Sequence, residues 1–424
     1  MATPAVKMLY HASNSGCCKA STLGDRMNSL FRRFVFGFSL CLLLVLLGGE
    51  YGLRVLGADS GKDGAYRQIE VYSEVLRKIQ TDYVTVPSIP DVTSGALHGL
   101  LDSLDSGSSY LSPAEYKIYS ERPTGGSAQV GMMLAKRFGY ATVVSAQPDS
   151  PAAKGNFKDG DVVIAIDGHS TRELPAALLN LMLEGKSGTE VTLSVIRPGK
   201  SDPDKVPLTR VDLQTPNMFV QQYDSGAIVY MKPVALSAAR VDAMAARIKA
   251  MQGTSEKKIL LDLRDVTSGT PADGLRLANL FLAKGTLATL SGQHFATQTF
   301  TADPKLDLTN VPLTVLVNRG TAGAAELAAA ALEDNKRADI VGERTFGDES
   351  VQKTLPLPDG AAVILTIAEY ASPSGKKIMQ DAVTPTVTVD DGSDAQGLDS
   401  QAASAPNGDP ILDKGLALLR AKSA

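Results

Sequence analysis

Two patterns of apolar residues divide the chain: stretches with helical spacing, and short apolar runs cut by glycine turns. Phe34 to Gly49, FVFGFSLCLLLVLLGG, carries no charge and follows Arg32 and Arg33. Its 16 residues fall short of the roughly 20 that a spanning helix needs, and suit a signal-peptide core equally well. The long basic leader and the lack of a clear small-residue cleavage site near Gly57 and Ala58 favour an uncleaved anchor. Ala58 to Gly64 reads as a linker. Tyr66 to Tyr83 sets Ile69, Tyr72, Val75, Leu76 and Ile79 at helical spacing, and a second helix is expected over Val92 to Leu104. Ser112 before Pro113 reads as the cap and first position of another.

From Ser127 the pattern changes to short strands with glycine turns, interrupted by a helix over Leu174 to Leu183. A hinge is expected near Ser201 to Pro207. Beyond it, strands and helices alternate: Ala227 to Met231, Ser237 to Met251, the apolar run KKILLDLRD, and Asp273 to Leu282. Such alternation implies a mixed sheet with crossover connections. Leu313 to Val317 then enters a polar turn (Asn318, Arg319, Gly320), a small-residue helix leaves it, and a second strand pair closes on Gly342 to Gln352. A nucleophile at the head of such a helix would stand beside backbone N–H groups able to hold an oxyanion. Strands follow at Gln352 to Pro356 and Ala361 to Tyr370. Asp390 to Pro410 is acidic and has no aromatic residue, which marks a linker. Ile411 to Arg420 is an amphipathic helix able to dock back onto the body.

A chain of 424 residues needs two or three domains, and 44% apolar with 21% charged residues is ordinary for a folded protein. The net charge of −4 conceals an asymmetry: Met1 to Arg33 carries +4, leaving −8 elsewhere and no basic surface for nucleic acid. Cys17, Cys18 and Cys41 all precede residue 42, so the folded part can hold neither a disulfide nor a cysteine metal site. The four histidines are scattered without ligand spacing. No metal or other cofactor is called for.

The text AQVGMML, DSPAAKG, DGDVVIAIDG and GTEVTLSVIRPG resembles a PDZ domain. In that family a loop offers backbone N–H groups to a peptide carboxylate while the peptide adds as a strand. By position the loop is Ala128, Gln129, Val130, Gly131 and Met132. With SLDSGSSYLSPAEYK, ILLDLRD, LANLFLAKGT, LTVLVNRGTAGAAE and LPDGAAVILTIAEYASPSGKKI, nearly everything after the apolar segment resembles the C-terminal processing, or tail-specific, serine peptidases. The resemblance implies a multidomain α/β fold: an N-terminal membrane anchor and helical region, a β-rich PDZ domain with two helices, and a mixed α/β core of the ClpP/crotonase type. The implied boundaries are a basic cytoplasmic leader at 1–33, the anchor or signal segment at 34–50, helices at 66–125, PDZ at 127–200, the peptidase-like core at 208–390, and an acidic linker with a helix at 391–424.

The catalytic residues of that family do not carry over. The family's serine falls at Gly323, and its lysine, in a G-K-G-x-V-Q pattern, falls at Asp348; Gln352, which orients the lysine, remains. The oxyanion turn reads Val266, Thr267, Ser268, Gly269 instead of N-P-G-G. Thr321 reads as a helix cap. Ser350 is expected to share a strand face with Asp348 and Gln352, Lys353 the opposite face, and Lys336 a solvated loop. Two functions stand: a catalytically silent PDZ protein that binds polypeptide C-termini or unfolded chains, as adaptor for or competitor of an active paralogous peptidase, and an active serine-type endopeptidase with unorthodox residues. Basic residues before the anchor place the bulk outside the cytoplasm, on a bacterial inner membrane.

Overall fold

The computed structural model describes residues 60–122, 128–137, 139–197, 200, 202–213, 218–389 and 408–422. The leader, the apolar segment at 34–50 and the linker at 391–407 lie outside them. Among the described residues no helix is long and apolar enough to cross a membrane. The chain divides into two units, the first ending at Ile89. In the first, helix α1 spans Ser60–Asp82. It begins inside the stretch expected to be a linker, because a nucleated helix gains one hydrogen bond for each further residue and extends through polar positions.

The second unit, from Pro90, opens with the remainder of α2 (Ile89–Asp102), then β1 (Ser109–Leu111) and α3 (Pro113–Ser120). Ser112 caps α3 as expected, and the Glu115 carboxylate accepts in return from Ser112 N at 2.7 Å. The PDZ module follows: β2 (Met132–Arg137), β3 (Tyr140–Ala146), α4 (Pro151–Lys154), β4 (Val162–Ile166), β5 (His169–Ser170), α5 (Ala176–Leu183), β6 (Glu190–Ile196) and β7 (Asp204–Thr209). Its sheet runs β2-β3-β4-β6-β7 with β5 beside β4. The hinge expected at Ser201 to Pro207 is largely strand instead. Leu208 is buried, Val206 packs against the module's core, and Pro207 is tolerated because β7 lies at the sheet edge.

The core continues as β8 (Phe219–Tyr223), β9 (Ile228–Lys232), α6 (Ala238–Ala250), β10 (Lys258–Asp262), α7 (Pro271–Asn279), β11 (Thr286–Gly292), β12 (Phe295–Thr301), β13 (Leu313–Val317), α8 (Ala324–Asp334), β14 (Asp339–Gly342), β15 (Ser350–Pro356), β16 (Ala362–Ala371), α9 (Ile378–Asp381), β17 (Val387–Thr388) and α10 (Pro410–Ala421). One sheet has the order β17-β14-β13-β10-β9-β8 and is parallel except for β8. Strand β13 is buried along its whole length, which explains why it is apolar but for Thr314. An antiparallel sheet joins β1, β16, β11 and β12, with β15 on the other edge of β16. The β11–β12 hairpin was not expected, because β12 is mostly exposed and polar and gives no apolar run.

Helix α10 docks as its pattern suggested. Ile411, Leu416 and Leu419 meet Leu260, Leu316 and Val341, and Gly415 allows close approach, since a Cβ there would lie 2.5 Å from Leu316 Cδ2. Lys258 Nζ donates to the carbonyls of Leu419, Arg420 and Lys422 at 2.6–3.2 Å, at the negative end of the helix. Lys258→Met is expected to destabilise the chain by about 1–2 kcal/mol. Denaturant unfolding measures this, and hydrogen exchange would quicken first in α10.

Candidate active site

The parallel strand β13 ends in the polar turn, and the turn is held from inside. Thr321 is fully buried; its hydroxyl donates to Leu263 O at 2.9 Å and accepts from Asn318 N at 3.0 Å. Thr321 is therefore not the cap of α8. That place belongs to Gly323, whose φ of 62° and ψ of −124° suit glycine alone without strain. Having no side chain, Gly323 supplies only half of a capping pair: its N–H donates to Glu326 Oε2 at 2.9 Å.

Glu326 is fully buried on the first turn of α8 and gathers the following loop around it. Gly347 N donates to it at 2.7 Å, Asp348 N at 2.9 Å, and the Thr345 hydroxyl also bonds it. Burial pushes its carboxyl up to about 7, against the opposing pull of those donors. The loop in turn delivers Glu349 to the elbow. A Cβ on Gly323 would lie 3.3 Å from Glu349 Oε2, so a carboxyl crowds the head of α8. Glu349 is 7% exposed; burial, then the charges of Asp348 and Glu326, raise it to about 8.

Asp348, at the base position, is half-buried, and burial followed by the Asp105 charge raises its carboxyl. It lines a cavity of about 140 Å³ with Gln352, Gly107, Lys136, Ala176 and Asn180. Gln352 lies across Gly107, where any Cβ would collide with its amide nitrogen. The common face expected for Asp348, Ser350 and Gln352 is broken, because β15 begins only at Ser350 and its register shifts between Val351 and Gln352. Asp348 and Gln352 meet in the cavity nonetheless, while Lys353 lines a different one. Lys336 is exposed after α8.

The oxyanion-region residues wrap the elbow. Val266 O accepts from Ala322 N at 3.0 Å, Ser268 O accepts from Leu236 N at 2.7 Å, and Gly269 packs so closely on Ala324 that a Cβ would lie 3.2 Å from that of Ala324. The PDZ module abuts the same segment: Ser145 Oγ donates to Thr267 Oγ1 at 3.5 Å, and Arg137 lies over the Phe346 ring at 4.5 Å. In the peptide-loop stretch, Ala128 O accepts from Gly185 N, and Gln129 exchanges both backbone bonds with Val211. Val130 O accepts from Ala152 N, Gly131 O from Gln147 N, and Met132 opens β2 opposite Ala146. Gln129 N–H is thus already committed and is not among the amides open to a carboxylate. Sequence reading missed Glu326, Glu349 and Asn180: carboxylates on a helix and in a loop, and an amide on a helix, have no spacing signal that sets them apart from surface residues.

A model of peptidase family S41 matches residues 227–389, and one of the PDZ domain matches 128–208. The chain is 30% identical over 366 residues to a carboxy-terminal-processing protease of Bartonella bacilliformis, covering 84% of this chain and 82% of that one. Over 335 residues it is 27% identical to the carboxy-terminal processing protease CtpA of Bacillus subtilis, covering 78% and 71%. Among solved structures, a photosystem II D1 C-terminal processing protease superposes with a TM-score of 0.62 at 26% identity, covering 74% of this chain and 86% of that one.

Two outcomes follow from the geometry. Gly323→Ser puts a side chain on a positive-φ residue and against Glu349, and is expected to cost about 1–3 kcal/mol in denaturant unfolding. Between about pH 4.5 and 8 the folded chain keeps a proton on Glu349 that the unfolded chain has released. Stability therefore falls as pH rises through that window. Glu349→Gln should flatten the decline and stabilise the chain by on the order of 2–3 kcal/mol at about pH 9, read from unfolding curves across pH.

Proposed function

We propose that this chain, which belongs to the carboxy-terminal-processing proteases of peptidase family S41, binds polypeptide C-termini or unfolded chains through its PDZ module and does not cut them. The observation that carries this reading is Gly323. Gly323, at the head of α8, bears no hydroxyl, and a Cβ there would lie 3.3 Å from Glu349 Oε2. A serine enzyme without its nucleophile keeps only a small residual rate. Asp348 adds to the deficit, since it offers a carboxyl, raised by burial and by the Asp105 charge, where the family's base is a lysine.

The names of the relatives favour a second reading, a serine-type endopeptidase cutting near C-termini with other residues. Thr321 is poorly suited to it, being buried with its hydroxyl proton committed to Leu263 O. We further place the protein on a bacterial inner membrane by a single N-terminal pass, its bulk outside the cytoplasm, as an adaptor for or competitor of an active paralogous peptidase. The charge asymmetry about the apolar segment supports that placement.

The test incubates the full chain with an unstructured protein ending in an apolar tail, following binding and cleavage beside an active relative. Binding without cleavage is expected. Ala176→Trp, which fills the cavity beside β2, should weaken binding by ~tenfold or more. Cleavage that disappears in Ser350→Ala or Thr321→Ala would overturn the silent reading.

A further inference from the structure

The edge of β2 that faces α5 is already occupied by the chain itself. Leu134 N donates to Asn180 Oδ1 at 2.8 Å, and Asn180 Nδ2 donates to Leu134 O at 2.9 Å. Across the sheet Leu134 stands opposite Val143, but the two exchange no bonds. Val143 N donates to Asp161 O and Val143 O accepts from Gly160 N, on its far side. In an antiparallel pair this is the arrangement in which both backbone groups of Leu134 point away from β3. They point at the groove between β2 and α5, where an added strand would pair.

A side-chain carboxamide offers one acceptor and one donor, as one residue of an added strand does. We infer that Asn180 is a latch that mimics a bound strand at Leu134, so that an extended chain enters the groove only by displacing it. The inference rests on the PDZ groove being the binding site proposed above. Asn180 sits on the second turn of α5, whose neighbouring side chains fix it: Leu178 and Leu179 are buried, Leu178 against Leu111 and Ile364, so the helix cannot turn the amide away without unpacking. The latch also lines the cavity that holds Asp348 and Gln352. Release of Asn180 therefore opens the groove beside the degenerate catalytic position. Free Leu134 would otherwise present an unpaired N–H and C=O, the feature by which sheet edges attract stray strands; the latch closes that edge to chains that cannot outcompete it.

The ligand is thus an extended polypeptide that supplies backbone bonds along several residues of β2, not a single polar group. Exchanging two protein hydrogen bonds for two ligand bonds leaves little net gain at Leu134, so the latch should weaken binding by about tenfold.

The experiment uses the full chain and a fluorescein-labelled peptide ending in Val-Ala-Val with a free carboxylate. Wild type is compared with Asn180→Val, which removes both bonds at similar volume, and Asn180→Asp, which keeps the acceptor and loses the donor. Fluorescence anisotropy gives affinity, and hydrogen exchange resolved at Leu134 N–H reports the latch without any ligand. The expected result is slow exchange in wild type, at least tenfold faster exchange in Asn180→Val, about tenfold tighter peptide binding in Asn180→Val, and a smaller gain in Asn180→Asp. Equal affinity in all three chains, or exchange at Leu134 that does not change in Asn180→Val, overturns the latch while leaving the groove as the binding site. No binding to any of the three overturns the groove and the latch together.

Discussion

Glu326 is the side chain on which the elbow depends. It is fully buried, and a buried carboxyl is tolerable only when its oxygens are met by donors. Those donors come from two places far apart in sequence: Gly323 at the head of its own helix, and Thr345, Gly347 and Asp348 in the loop after β14. Satisfying one carboxyl therefore fixes the loop to the helix. The position of Glu349 over Gly323, and of Asp348 in the small cavity, follow from that attachment.

The same attachment makes the site acidic. The elbow gathers three carboxyls, Glu326, Asp348 and Glu349, each raised by burial. Carboxyls crowded in a poorly hydrated place resist ionising together. The fold has kept the elbow, the close packing of Gly269 on Ala324 and the wrapping by Val266.

The PDZ module is coupled to this frame through packing. Leu178 buries against Leu111 and Ile364, Arg137 covers Phe346, and Ser145 reaches Thr267. Its groove consequently ends in the cavity of Asp348 and Gln352. A polypeptide added along β2 would therefore lie beside the elbow.

The sequence alone determined the elements whose signal is local. Ser112 before Pro113 wrote its own cap, and the apolar run at Leu313 to Val317 announced a strand entering a polar turn. Only the tertiary structure decided what replaced the missing groups. Glu349 meets Gly323, and Asn180 meets Leu134, across 26 and 46 residues of chain. Contacts of that kind depend on how helices and sheets pack, and neither residue type nor periodicity encodes the partner. The polar hairpin of β11 and β12 and the edge strand β7 were hidden for a related reason: a strand held by neighbours on its backbone edges needs little apolar pattern of its own.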